Sequence, residues 1–341
     1  NFSKGGMDVA TLDTSLTIDS GGKLTQEDNT TTERHRLAMT ISGDLVVLAG
    51  GRIDVAGLGH DKANGPGSQP GDESCGGSYG GEGGVGYWQG WMASNTYGSV
   101  MAPTNNGSGG GYRNTGTSGG GAIWLAVGGG VSLASGTAMA ARGASCYATY
   151  GGAGSGGSIY LNAATLSGDG TLDARGGDAA YDGDAGGGGG RIAVILTNAP
   201  TLGNVTLRAS GGKKTGPGGG ASGAAGTVYV QTTDHAPGRG LVIADNDGTN
   251  VAAVTTIPAR TNAVPGELQY ATLVVTNAAN WRLTGNLEVG DINIYSGCSL
   301  DLNFRTVTVH SAEHALGGGT TNNPGAILWI PRVEGSVYWW E

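Results

Sequence analysis

The sequence predicts an all-β protein, a parallel β-solenoid (β-helix) with glycine-rich excursions between its rungs. Three observations carry this expectation. First, an apolar phrase returns at near-constant spacing. Its first apolar residue is Ile123, then Ile159, Ile192 and Val228, at intervals of 36, 33 and 36 residues. Intervals of this size mark stacked repeats, in which no single unit can bury its own apolar face. Second, short runs alternate apolar and polar residues with period two, as half-buried strands do. Third, 70 of the 341 residues are glycine and they cluster between the phrases, against about 7% in ordinary proteins.

The alternation begins at the N-terminus with Leu16-Thr-Ile18, Leu37-Ala-Met39-Thr-Ile41, Leu45-Val-Val47 and Ile53-Asp-Val55. No amphipathic helix is evident. Asn29–Arg36 is the best candidate for a helical turn, but its threonines are poor helix formers. Residues 1–60 therefore read as an N-terminal β segment with the first rungs. Residues 61–118 read as a glycine- and aromatic-rich insertion, and 119–231 as the repeat solenoid. Residues 232–262 read as a linker, and 263–341 as C-terminal rungs ending in a terminal strand.

Within 119–231 each unit shows a first strand at the repeated phrase and then a second. The second strands are Val131–Leu133, Thr171–Ala174 and Val205–Leu207, with Ala134–Ala140 inserted in the first unit. Segments such as Gly151–Gly157 and 216–226 read either as loops or as extended, polyglycine-II-like strands packed side by side. Strands of that kind have no internal hydrogen bonds, so each N–H and C=O must find a neighbour.

Gly285-Asn286-Leu287-Glu288-Val289 and Ser296-Gly297-Cys298-Ser299-Leu300-Asp301-Leu302-Asn303 resemble rungs of parallel β-helices in large secreted, autotransporter-like bacterial proteins. The repeats at 119–231 are similar to glycine-rich solenoid repeats of giant bacterial surface proteins. The resemblance implies a fold and an extracellular, cell-surface location. It implies no activity.

Composition limits the partners. The net charge is −9. No basic stripe is visible along the chain, which argues against nucleic acid. No run of 18 apolar residues suggests a membrane span. Walker, Gly-x-Ser-x-Gly and His-Glu-x-x-His motifs are absent, so no catalytic residue is assigned and no cofactor is expected beyond a candidate calcium ion.

Several constellations remain. Asp178, Asp182 and Asp184 alternate with glycine and could supply calcium oxygens. Cys75 and Cys146 both lie in glycine-rich sequence and form a candidate disulfide, while Cys298 reads as a buried small hydrophobe. Asp54 and Asp173 read as sharing one slot of the repeat, filled elsewhere by Ser132 and Thr206. They would be the paired carboxylates of a β-helix polysaccharide-degrading enzyme. Tyr87, Trp88, Trp91 and Tyr97 crowd the insertion as a candidate sugar-stacking platform for a carbohydrate-binding adhesin. The competing reading of these aromatics is a local core under a glycine-rich surface.

The leading expectation is structural. A solenoid exposes unpaired strand edges at its ends unless they are capped. Phe2, Leu16 and Ile18 at one terminus, and Tyr338, Trp339 and Trp340 at the other, are the candidate assembly residues. They point to a homopolymer, the subunit of a bacterial surface filament or stalk built head-to-tail.

Overall fold

The computed structural model describes residues 2–69, 74–87, 95–111, 115–311 and 315–330. The recurring phrases lie side by side in parallel register. Leu37 pairs with Ile123, Ile123 with Ile159, Ile159 with Ile192 and Ile192 with Val228. These side chains are buried, so the short strands share an interior that none could enclose alone. The described residues contain strands and no helix. At Asn29–Arg36, the best candidate for a helical turn, the chain instead forms a side-chain clasp. Asn29 Oδ1 accepts the backbone N–H groups of Arg34 and His35 at 2.7 and 2.8 Å, the local bonding by which Asn competes with helix.

The chain is not a single solenoid. Among the described residues the strands form five separate sheets, of nine, six, four, four and three strands. The departure lies inside the expected linker. Thr227–Gln231 pairs antiparallel with Leu241–Asp245, whereas the other pairings of the nine-stranded sheet are parallel. Successive residues of a strand point to opposite faces. Val228 and Val230 face a first core, and Ile243 packs against it. Tyr229 and its register partner Val242 face a second core. The nine-stranded sheet thus has one core on each face. The six-stranded sheet and one four-stranded sheet close the first, and the other four-stranded sheet and the three-stranded sheet close the second. Alternation reads the same in either chain direction, so the reversal leaves no mark in the hydrophobic pattern.

The layers of the first core also differ from expectation, because those that begin at Leu37, Ala122 and Ser158 hold three strands each. Gly130–Leu133 pairs with Thr165–Gly168, whereas Thr171–Asp173 pairs with Ala138–Ala140 and with Thr206–Arg208. The segment expected as an insertion therefore supplies the third strand of its layer.

The glycine-rich segments leave the six-stranded sheet and return to the nine-stranded one. Their hydrogen bonds follow a three-residue period. Ala153 and Gly156 donate to the next return leg at Ala185 and Gly188, and Gly154 and Gly157 donate to the outgoing leg at Ala144 and Ala141. Gly152 and Ser155 donate to Gly111 and Ser108. Residues 186–190 repeat this: Gly186 and Gly189 donate to Ala221 and Ala224, and Gly187 and Gly190 to Gly177 and Ala174. Three residues per turn is the geometry of an extended polyproline-II-type chain. Close approach explains the composition. A Cβ at Gly154 would lie 1.9 Å from the Ser118 carbonyl oxygen, and one at Gly212 would lie 1.8 Å from that of Gly177.

Candidate functional site

The N-terminal end of the stack is the candidate site. Phe2–Lys4, Ala10–Leu12 and Leu16–Ile18 are each the outermost strand of a different sheet. Each has a partner on one side only: Lys23–Gln26, Leu37–Ile41 and Leu45–Val47, respectively. An apolar recess of about 600 Å³ opens among these three edges. Its walls include Phe2, Leu12, Leu16, Ile18, Leu24 and Met39. Phe2 is 54% exposed. The structure therefore brings together all three N-terminal residues expected from sequence to serve assembly.

Leu12, Leu24 and Met39 join them in the recess without having been singled out. The alternation of Ala10-Thr-Leu12 and Leu37-Ala-Met39 carries the signal, because it places these side chains on the inward face of the first layers. Arithmetic of the edges adds to the picture: three rows of backbone N–H and C=O groups surround one apolar opening, a combination that monomeric proteins normally blunt.

At the other end, among the described residues, the outermost strands are Asp291–Ile294, Thr320–Asn322 and Ala326–Trp329. Leu316 and Gly319 bond the backbone of Ile294 and cover part of the first of these edges. Leu328 and Ile330 are about half exposed, while Ile327 and Trp329 pack against the second core. Tyr338, Trp339 and Trp340 lie outside the described residues.

Of the aromatic platform, Tyr97 is corrected. Tyr97 is buried, as is Tyr79, and their rings lie 4.6 Å apart. Tyr97 donates its hydroxyl hydrogen bond to the Asn106 carbonyl at 2.7 Å, and Tyr79 shares one with Ser158 at 2.6 Å. Arg191, also buried, donates from Nε to the Tyr97 carbonyl and from Nη1 to Thr227 Oγ1, with its guanidinium 5.5 Å from the centre of the Tyr79 ring. Burial pushes the Tyr79 hydroxyl up to about 12 and Tyr97 higher than its ordinary value. Burial lowers Arg191. These residues form a core that joins the glycine-rich layer to the nine-stranded sheet, where no sugar can reach. The large rings fill space that glycine cannot. Sequence reading passed over Arg191. Its signal was its slot: it stands in register with Ala122, Ser158 and Thr227, at the point where each excursion returns. Tyr87 is partly exposed and meets Tyr150 edge-on at 5.8 Å. Trp88 and Trp91 lie outside the described residues.

The three aspartates of the candidate calcium loop do not converge. Asp178 Oδ1 accepts the Lys213 backbone N–H at 2.7 Å. Asp184 accepts the Tyr181 N–H at 2.7 Å and pairs with the Lys214 ammonium at 3.2 Å. A lysine thus occupies the place a cation would take, and the described residues hold no cluster of His, Cys, Asp and Glu suited to a metal ion. The expected Cys75–Cys146 cross-link is not formed. Both are buried thiols, as is Cys298, and Cys146 donates to the Thr115 carbonyl at 3.2 Å. Burial raises its thiol above the usual range.

Asp54 and Asp173 do align, but through different neighbours than the repeat suggested. Each stands in register with Ala140, and Asp173 with Arg208. Two strand spacings, about 9.5 Å, separate them. Both are bound into ion pairs, Asp54 with Lys23 and Arg52, Asp173 with Arg142 and Arg175. Basic side chains thus occupy both carboxylates, where the two acids of a glycosidase must face the glycosidic bond.

No helix among the described residues is long and apolar enough to cross a membrane. Comparison with known protein families, curated proteins and solved structures finds no match.

Proposed function

We propose that this protein is a structural subunit of an extracellular bacterial filament or stalk, joined to further copies end to end. The observation that carries the reading is the N-terminal end, where three unpaired sheet edges ring an open apolar recess. Apolar surface so concentrated, rimmed by backbone donors and acceptors, favours a partner that extends the sheets and fills the recess. A second copy is the natural occupant, because the nine-stranded sheet begins at this end and its last strand, Asp291–Ile294, lies at the other. Contacts between unlike ends propagate into an open chain when their rotation does not close a ring. The abundance of Gly, Thr, Ser and Asn and the resemblance to bacterial surface repeats support the extracellular setting.

The test is a double substitution at the recess, Phe2→Asp with Leu16→Asp. Phe2 is exposed and Leu16 lies at the open rim, so the first core keeps its deeper layers. The variant is expected to sediment as a folded monomer under conditions in which the unaltered chain forms polymer. A variant that polymerises as well as the unaltered chain would sink the reading.

A further inference from the structure

The outer face of the six-stranded sheet carries cations gathered around carboxylates. Leu24, Ile53, Met139 and Leu172 point inward and are buried. The residues beside them in the period-two pattern point outward. Lys23, Arg52 and Arg208 lie within strands on this face. Arg142 and Arg175 lie two residues beyond strand ends, where pairing continues: Gly57 N–H donates to the Arg142 carbonyl and Gly143 N–H to that of Arg175. Five successive layers thus each present one cation.

The cations are organised by carboxylates into three triads. Asp54 Oδ2 lies 3.4 Å from Lys23 Nζ and 3.8 Å from Arg52 Nε. Asp173 Oδ2 lies 2.8 Å from Arg175 Nη2 and 3.7 Å from Arg142 Nε. Asp247 Oδ2 lies 3.3 Å from Lys213 Nζ and 3.4 Å from Arg208 Nη2. Each triad keeps one positive charge, on a chain whose net charge is −9. Between the first and last triads runs a groove of about 370 Å³, lined by Arg142, Arg175, Ser145, Tyr147 and Asp178. The Tyr147 ring beside it is 68% exposed.

We propose that this face binds a carboxylated polysaccharide, laid along the stack of strands and centred on the groove of Arg142, Arg175 and Tyr147. Lys23 stands opposite Arg52, and Arg142 lies opposite Arg175, each pair about one strand spacing of 4.8 Å apart at the backbone, with the two pairs offset along the strands. Arg175 uses Nε and Nη2 on Asp173, which leaves the donors of Nη1 for a ligand carboxylate. The interleaved aspartates suit a ligand that carries hydroxyl donors as well as acid groups. They would repel an unbroken phosphate backbone, whose charge density in duplex DNA is one per roughly 1.7 Å. Tyr147 offers an apolar ring for a sugar face and a hydroxyl for its rim. This reading is independent of end-to-end assembly, since the array lies on the side of the stack.

The experiment titrates the full chain with polygalacturonate, with dextran as a neutral control and single-stranded DNA as a competing polyanion. The variants are Arg52→Gln with Arg142→Gln, whose side chains are 58% and 50% exposed, and separately Tyr147→Ala. Polygalacturonate is expected to bind at low salt and weaken as salt rises, while dextran does not bind. The double arginine variant is expected to lose about tenfold or more in affinity, the scale of two charge-assisted hydrogen bonds, with an unchanged melting temperature. Absence of polygalacturonate binding, full affinity in the double variant, or tighter binding of the DNA would each overturn the proposal.

Discussion

Gly154 sits where even a methyl group has no room, and its neighbours are backbone, which cannot rotate away. Gly154→Ala is expected to cost at least about 1–3 kcal/mol through overpacking, read from urea or thermal melts. The nearest obstacle is one carbonyl oxygen, that of Ser118. Glu33 offers a second. Burial raises its carboxyl above the ordinary 4.5, with the Asn105 side-chain amide and the Asn106 N–H pulling partly the other way. The folded state therefore holds this proton more tightly than the unfolded state does. Its contribution is full below the ordinary value and is lost as pH rises from there through the raised one. Glu33→Gln cannot ionise, so it should gain stability relative to the unaltered chain between pH 4 and 7, measured by melts across that range. At this scale some residues were legible in sequence and others were not. The place of Leu16 and Ile18 on a strand was legible through alternation near the N-terminus. Tyr97 was misplaced because an aromatic residue in a glycine-rich stretch reads alike whether it covers a surface or fills a gap. Asp184 looked like a metal ligand because its partner, Lys214, is 30 residues away in the chain.

At the scale of elements, the recurring phrases located the strands well, and Ile123, Ile159, Ile192 and Val228 do stack in register. The organisation of those strands into sheets was not legible. Direction leaves no trace in a period-two pattern, so the antiparallel step at Thr227–Gln231 and the second core beyond it stayed hidden. The cationic face was hidden too. Lys23, Arg52, Arg142, Arg175 and Arg208 are scattered along the chain, and only the register gathers them. Two cores on opposite faces of one sheet give a separable expectation. Trp281 is buried at the centre of the second core. Trp281→Ala is expected to cost about 3–5 kcal/mol. Amide exchange should rise first in Thr272–Thr276, Asn280–Leu283 and Ser299–Asp301. Ala122–Val127 and Ser158–Ala163, in the first core, should keep their protection. Equal loss of protection in both groups would mean that the cores open as one unit.

At the scale of the whole molecule, the stack has an axis along which strands hydrogen-bond, and Phe2–Lys4, Ala10–Leu12 and Leu16–Ile18 are outermost along it. The nine-stranded sheet alone extends about 38 Å in that direction at the usual spacing of paired strands. The glycine-rich layer holds the excursions against one another along the same axis through backbone hydrogen bonds. Copies added through the ends continue the sheets along the axis, whereas copies added side by side leave the apolar recess open. Fibre diffraction from aligned, concentrated protein separates these outcomes most directly. The account predicts polymers with a meridional reflection near 4.8 Å, from strands lying across the filament axis. Protein that stays monomeric at high concentration, or filaments whose 4.8 Å reflection falls on the equator, would contradict it.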